Sequence, residues 1–196
     1  MREVELKAIV DDADAARNAI RRAGATLAYE GRLEDRRYDT PEFALRLRDQ
    51  VLRLRVYRAA TVRAMLDWKG PTAYESGYKV REELSTTAGD PDALATLLER
   101  LGYVVTREID RRIEQYQWEG ATIRFEHYPR MDVLVEVEGE PSAIERAIAA
   151  LAMPREAFTT QRLPDFVRLF EERTGERAAI CDRELQGDYR YSATDA

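Results

Sequence analysis

The sequence contains one cysteine, Cys181, and one histidine, His127, among 196 residues. A single thiol excludes an intrachain disulfide and any cysteine cluster, and a single imidazole excludes a multi-histidine zinc site. A metal bound by this chain must therefore be held mainly by carboxylates, and oxygen ligands favour Mg²⁺, Mn²⁺ or Ca²⁺. Long apolar runs are missing too: nothing approaches the roughly 18 residues of a membrane span. No basic segment followed by an apolar stretch opens the chain, so we expect a cytoplasmic protein with no membrane partner. The net charge of −6 argues against a nucleic-acid partner, whose binders are ordinarily basic. Lysine is scarce as well: of 31 basic residues, only Lys7, Lys69 and Lys79 are lysine.

With 44% hydrophobic and 35% charged residues, the chain has apolar material for a substantial core. Its first segment sets a pattern. In Glu3-Val4-Glu5-Leu6-Lys7, alternate residues of an extended strand share a side, so Glu3, Glu5 and Lys7 face one way and Val4, Leu6 and Ala8 the other. Carboxylates at i and i+2 are about 6.5–7 Å apart at the backbone and can converge on a cation. By itself the segment is better read as an edge strand with a solvated charged face.

The same division recurs along the chain. Asp12 caps a helix over residues 13–23, with Ala16, Ala19, Ile20 and Ala23 on one face and Gly24 as its stop. Residues 26–38 read as a strand or a long hairpin arm, and Tyr38-Asp39-Thr40-Pro41 as a turn in which Asp39 bonds local backbone. Arg53 and Arg55 then share a face, followed by Asp67 and Lys69, and by Lys79, Arg81 and Glu83. Asp90 and Pro91 open a second helix with a Leu94, Leu97, Leu98, Leu101 stripe. Residues 103–118 form a strand of ambiguous register, with either Arg107 and Arg111, or Arg112, Glu114 and Tyr116, on its charged side. After a Glu119-Gly120 turn come Arg124 with Glu126, and Glu136 with Glu138. Ser142 and Glu145 form a capping box for a third helix carrying Ile144, Ala147, Ile148 and Leu151. Leu163, Phe166, Val167 and Phe170 mark a fourth helix, ending at Gly175. The tail from Glu176 has no clear period, and residues 187–196 read as loosely ordered.

Six strands thus carry charge on one face and apolar groups on the other. Four amphipathic helices cover the apolar side. A sheet that curls and closes gathers the charged faces around a polar lumen and removes exposed edges. Lys7, Arg53, Arg55, Lys69, Arg81 and Arg124 would bind a highly anionic ligand there, while Glu3, Glu5, Glu83, Glu126, Glu136 and Glu138 repel it unless divalent cations intervene. That combination suits a polyphosphate.

These blocks, in this order, resemble the CYTH family, the triphosphate tunnel metalloenzymes, which takes in class IV adenylate cyclases, thiamine triphosphatases and inorganic triphosphatases. Glu3-Val4-Glu5-Leu6-Lys7 matches the family's Glu-x-Glu-x-Lys signature. Tyr38-Asp39-Thr40-Pro41, Leu52-Arg53-Leu54-Arg55, Lys69-Gly70-Pro71, Arg81-Glu82-Glu83 and Glu136-Val137-Glu138 resemble the blocks that follow. Glu126 stands where the family usually has Asp, and Tyr128-Pro129-Arg130-Met131-Asp132 replaces its Leu-Gly turn. The likeness spans residues 1–175 as a tunnel domain and leaves 176–196 as a partly ordered tail.

The resemblance implies an α+β protein, a closed antiparallel eight-stranded β-barrel with helices packed outside. It implies Mg²⁺ or Mn²⁺ held by Glu3, Glu5, Glu136 and Glu138, with Glu126 as a further ligand. A triphosphate substrate would be bound by Lys7, Arg53, Arg55, Lys69, Arg81, Arg112 and Arg124, with Lys7, Lys69 and Arg55 catalytic. Hydrolysis of an inorganic or organic triphosphate is the leading expectation. Cyclisation of ATP to cyclic AMP, which also needs a placed nucleoside, and non-catalytic polyphosphate binding are the alternatives. Trp68, Tyr74, Tyr78 and Tyr116 are candidates to stack on a base or thiazole, though each also suits packing. A homodimer is left open.

Overall fold

The computed structural model describes residues 2–192. Among them the alternating segments become nine strands: β1 (Arg2–Ile9), β2 (Thr26–Asp39), β3 (Val51–Arg58), β4 (Val62–Lys69), β5 (Ala73–Glu75), β6 (Tyr78–Ala88), β7 (Val104–Trp118), β8 (Ala121–His127) and β9 (Leu134–Gly139). The helices are α1 (Ala13–Arg22), α2 (Pro91–Arg100), α3 (Pro141–Ala150), α4 (Leu163–Thr174) and the short α5 (Asp182–Leu185). The strand order is β1-β9-β8-β7-β2-β3-β4-β6-β5, and β1 also pairs antiparallel with β6, from Arg2↔Glu82 to Glu5↔Lys79. That pairing closes an eight-stranded antiparallel barrel, with β5 as an extra strand along β6. Past Glu5, β6 no longer accompanies β1, and Thr159 takes its place through backbone bonds of 2.9 and 2.8 Å with Lys7. The turn between β7 and β8 has φ of +42° at Glu119 and +84° at Gly120. Two successive positive values mark the tight hairpin turn whose twist matches that of the strands, and glycine enters that region without a Cβ clash.

Period-2 alternation sorts each strand. Val4, Leu6 and Ala8 point outward and pack with Tyr116, Ile123, Phe125, Val135 and Val137 beneath α1 and α3. Asp12 caps α1, accepting from the Ala15 amide at 2.9 Å. Only Ala16 and Ile20 of its expected stripe are buried, and Ala23 falls just past its end. In α3 the expected face is buried, but Ser142 is not the cap. Pro141 already occupies the first turn, so Glu140 takes the N-cap position, and Glu145 turns away to Tyr78 and Arg155. In α2 only Leu98 is buried, while Leu97 and Leu101 are 53% and 66% exposed. The helix meets Tyr38, Leu54 and Val56 along one edge of its stripe and leaves the other edge in solvent.

The barrel interior is bounded by apolar groups. Leu33, Tyr57, Met65 and Ile113 stand two residues beyond the inward-facing Asp35, Arg55, Asp67 and Arg111, and they pack together with Tyr29. Elsewhere the inward residues Ile9, Ile109 and Leu134 are covered by Leu163, Phe166, Val167 and Phe170 of α4 and by Ala178 and Ile180 of the tail. The tail is held by backbone bonds between Arg130 and Ala179 (3.0 and 2.8 Å) and from the Asp110 amide to the Ile180 carbonyl (2.8 Å). Those bonds order it without any periodicity in its own side chains. The loose order expected of residues 187–196 falls in part on 193–196, outside the described residues.

Ile144 is fully buried between α3 and the sheet, so Ile144→Ala should destabilise the protein by about 2–5 kcal/mol in urea unfolding. Leu97→Ala, on the exposed edge of α2, should change stability by less than about 0.5 kcal/mol.

Candidate functional site

The inward faces enclose a cavity of about 260 Å³ lined by eleven basic and nine acidic side chains. In the closed strand order β2 lies four places from β1 in either direction, so these two strands form opposite walls. One wall is carboxylate-rich: Glu3 and Glu5 of β1 lie beside Glu136 and Glu138 of β9, with Glu5↔Glu138 and Lys7↔Glu136 in direct register. The other wall is arginine-rich, with Arg37 on β2, Arg53 and Arg55 on β3 and Arg111 on β7.

Nearly every charge in the cavity has a partner. Asp35 is the hub of the arginine wall: Arg55 donates to both of its oxygens at 2.8 and 2.9 Å, Arg111 at 3.1 Å, and Arg53 Nη1 lies 3.7 Å away. Arg53 also donates twice to Asp67 (3.0 and 2.7 Å), and Arg111 to Glu126 (2.9 Å). Across the cavity Glu136 accepts from Arg124 at 2.6 Å and lies 2.6 Å from Lys7. Lys69 pairs with Glu3, and Lys79 with Glu5. Arg81 donates to the carbonyls of Gly70 (2.6 Å) and Asp49 (2.5 Å). Tyr128 donates to Glu126 at 2.7 Å.

Charge sets the ionisation of these groups. Burial opposes ionisation of Asp35, but Arg55, Arg111 and Arg53 outweigh it and hold the carboxyl well below its ordinary range. Burial likewise opposes Glu136, and Lys7 with Arg124 overcomes it. For Lys7 burial favours the neutral amine, yet Glu136 and Glu5 raise its pKa and keep it charged. Glu138 is an exception. It makes no hydrogen bond or ion pair among the described residues, and burial together with repulsion from Glu136 pushes its carboxyl up to about 7.

Of the residues singled out in the sequence, Glu3, Glu5, Lys7, Arg53, Arg55, Lys69, Arg81, Glu83, Arg124, Glu126, Glu136 and Glu138 all line this one cavity. Arg112 does not. Residues 107, 109 and 111 of β7 face inward, and Arg112 is exposed on the outer side, so the charge at this level belongs to Arg111. Trp68 and Tyr74 are also absent from the lining, Tyr74 being 60% exposed, and Tyr78 and Tyr116 pack in the outer core. The aromatics that do reach the cavity include Phe43 and Tyr128, both from irregular segments.

Sequence reasoning passed over Asp35 and Arg37 as site residues. They are an i, i+2 pair, the signal used elsewhere, but Glu34-Asp35-Arg36-Arg37 is charged on both faces and shows no alternation. The outer face is ionic because tail residues cover it: Arg36 donates to Asp110 (2.7 Å), Arg32 to Asp182 (2.7 Å), and Arg183 lies 3.4 Å from Glu108. Glu108, Asp110 and Cys181 of this outer layer lie within 4.8 Å of one another, but arginines already occupy both carboxylates.

Comparison with known proteins agrees with this geometry. The CYTH domain matches residues 1–153. Among solved structures, a candidate adenylate cyclase of Vibrio parahaemolyticus superposes with a TM-score of 0.72 at 21% identity, covering 85% of this chain and 97% of its own. A protein of Pyrococcus horikoshii gives 0.69 at 24% identity, covering 89% and 99%. A candidate adenylyl cyclase of Hippeastrum with a dominant triphosphatase activity gives 0.60 at 15%, covering 89% and 96%. No curated protein matches the sequence. With the tunnel, its two charged walls and a match over most of its length, the chain belongs to the CYTH domain family.

Proposed function

We propose that the protein is a divalent-metal-dependent enzyme that hydrolyses a triphosphate held between the two walls of the barrel. The observation that carries this reading is the arrangement of opposed walls, with a carboxylate cluster facing an arginine cluster across one cavity. A cation fits the first wall. Its donors are all carboxylate oxygens, and Glu138 is half-buried there with no ion-pair partner among the described residues. Glu3, Glu5, Glu136 and Glu138 would hold Mg²⁺ or Mn²⁺, with Glu126 as a further donor, and the ion would supply charge neutralisation and polarisation of phosphoryl oxygens.

The chain's own residues do the rest. Arg53, Arg55 and Arg111 present forked donors to phosphate oxygens on the opposite wall. Their present partners, Asp35 and Asp67, fix the orientation of each guanidinium before a ligand arrives. Lys7, beside Glu136 on the carboxylate wall, and Lys69 of β4, paired with Glu3, would stabilise charge as the bond to the terminal phosphoryl group breaks. Lys7 stays protonated and so acts as a fixed positive charge rather than as a base. Cyclisation would use the same tunnel but needs a held nucleoside. The positions of Trp68, Tyr78 and Tyr116 outside the cavity favour hydrolysis. A non-catalytic polyphosphate binder has no use for a carboxylate wall.

The discriminating assay incubates the protein with tripolyphosphate, ATP and thiamine triphosphate in Mg²⁺ or Mn²⁺ and identifies the products. Orthophosphate release is the expected result. Cyclic AMP with pyrophosphate would establish the cyclase instead, and tight binding without turnover would establish the binder. Glu5→Gln should lower kcat/KM by about a hundredfold or more while leaving the circular dichroism spectrum and melting cooperativity unchanged. Near-normal turnover would remove Glu5 from the metal site.

Glu138 gives a pH test in metal-free protein. Its carboxyl titrates near 4.5 when unfolded and near 7 when folded, so between those values the native state holds the extra proton. Stability from this group is therefore present below about pH 4.5 and is lost as pH rises through about 7. In EDTA, Glu138→Gln should raise the melting temperature relative to wild type more at pH 8 than at pH 5. Equal differences at both pH values would contradict the assignment.

A further inference from the structure

Arg37 and Arg107 are directly opposed in the β2–β7 register. Like charges placed opposite one another destabilise a ladder, and here neither side chain is fully satisfied. The Arg37 side chain makes no hydrogen bond or ion pair among the described residues, and its Nε is buried without a partner. Arg107 is held back by the tail. Its guanidinium stacks 5.3 Å from the Tyr191 ring, and its Nη1 lies 2.8 Å from Glu184 Oε1 at an angle that makes no hydrogen bond. Arg111 donates to Glu126 and Asp35 but leaves Nη1 unpartnered. Three neighbouring arginines thus carry orphaned donors, and of the three Arg37 and Arg111 line the main cavity.

An unsatisfied buried donor is unfavourable, and an unpaired buried charge more so. The other arginines of the arginine wall meet a carboxylate, whereas Arg37 meets Arg53, Arg107 and Arg111. Burial and then this repulsion lower its guanidinium to about 10, with Asp35 opposing only in part. The cavity carries more bases than acids, and Arg37 belongs to that surplus. A side chain this poorly accommodated by the protein is suited to an anion from outside it.

We infer that Arg37 is a substrate-binding residue that donates to a phosphoryl oxygen on the β2–β7 side of the cavity, beside the free nitrogen of Arg111. The inference rests on the triphosphate reading of the cavity and adds to it a residue from outside the recurring charged blocks. Arg37 would be destabilising in the free protein and stabilising in the complex. A residue of purely structural importance has the opposite first property.

The test uses Arg37→Met and Arg37→Lys in the full chain. Melting is measured in EDTA without ligand, and steady-state kinetics in Mg²⁺ with whichever of tripolyphosphate and ATP the wild type turns over. The expected result is that Arg37→Met melts at the wild-type temperature or above, while KM for that substrate rises about ten- to a hundredfold with kcat changed less. Arg37→Lys should fall between them, because it restores the charge without the fork. A Met variant that melts lower with an unchanged KM shows a structural arginine and overturns the inference. Wild-type turnover matched by Arg37→Met overturns the role of Arg37 alone. A wild-type protein that neither binds nor turns over either compound overturns the triphosphate reading and this inference together.

Discussion

Charge buried in a narrow lumen has to be neutralised within that lumen, and the rest of this structure depends on how that is done. Taking a carboxylate or guanidinium out of water costs several kcal/mol after relaxation, and a partner left alone by removal of its mate is more unfavourable still. Here twenty charged side chains, most of them buried or half-buried, line a cavity of about 260 Å³. They are tolerable because the strands hold acids and bases in interlocking positions, with Asp35 shared by Arg55, Arg111 and Arg53, and Glu136 shared by Lys7 and Arg124. Without closure, the β1 and β6 edges would separate and the Lys69–Glu3 and Lys79–Glu5 pairs would open to water. The pairing of β1 with β6 is therefore an electrostatic requirement as well as a solution to the problem of exposed edges.

Because the lumen contributes little apolar burial, the hydrophobic stabilisation lies outside it. Leu6, Phe125, Val135, Val137, Ile144 and Ile148 form a continuous core between the β1, β8 and β9 wall and α3. This places the carboxylate strands against the most extensive apolar cluster among the described residues. The arginine wall has a different support. On β2 and β7 its outer face is an ionic layer of Arg32, Arg36, Glu108 and Asp110 held under the tail, while β3 is backed by Leu54 and Val56 beneath α2. The walls thus differ in what backs them as well as in charge: one rests on an apolar core, and the other rests largely on a salt-bridged layer.

That difference also explains which parts of the fold were legible in the sequence. Where a helix with an apolar stripe backs a strand, alternation is clean, and Glu3, Glu5, Lys7, Arg124, Glu126, Glu136 and Glu138 could be assigned to the lumen from period alone. Arg53 and Arg55 could be read the same way because Leu54 and Val56 meet α2 and its neighbours. On β2 and β7 both faces are charged, so period-2 reasoning has nothing to distinguish them. Asp35 and Arg37 were passed over there, and Arg112 stood in for Arg111. The Leu97 and Leu101 stripe misled for the opposite reason, since helical spacing shows which face is apolar and not how much of it the fold covers. The tail could not be read at all, because backbone bonds to Arg130 and Asp110 order it.

Two charged groups that make no side-chain hydrogen bond or ion pair among the described residues lie on opposite sides of the cavity. Glu138 is on the carboxylate wall without a base, and Arg37 is on the arginine wall without an acid. They do not satisfy one another, because β9 and β2 are separated by β8 and β7. An ionic lattice selected only for stability would place one within reach of the other. Leaving a negative surplus on one wall and a positive surplus on the other creates a field across the cavity that suits a cation and a polyanion side by side. On the proposed function, the strain is carried by the free protein and would be relieved when ligand charges arrive. On this reading, the unpaired groups mark the function of the lumen, and the paired majority holds them in place.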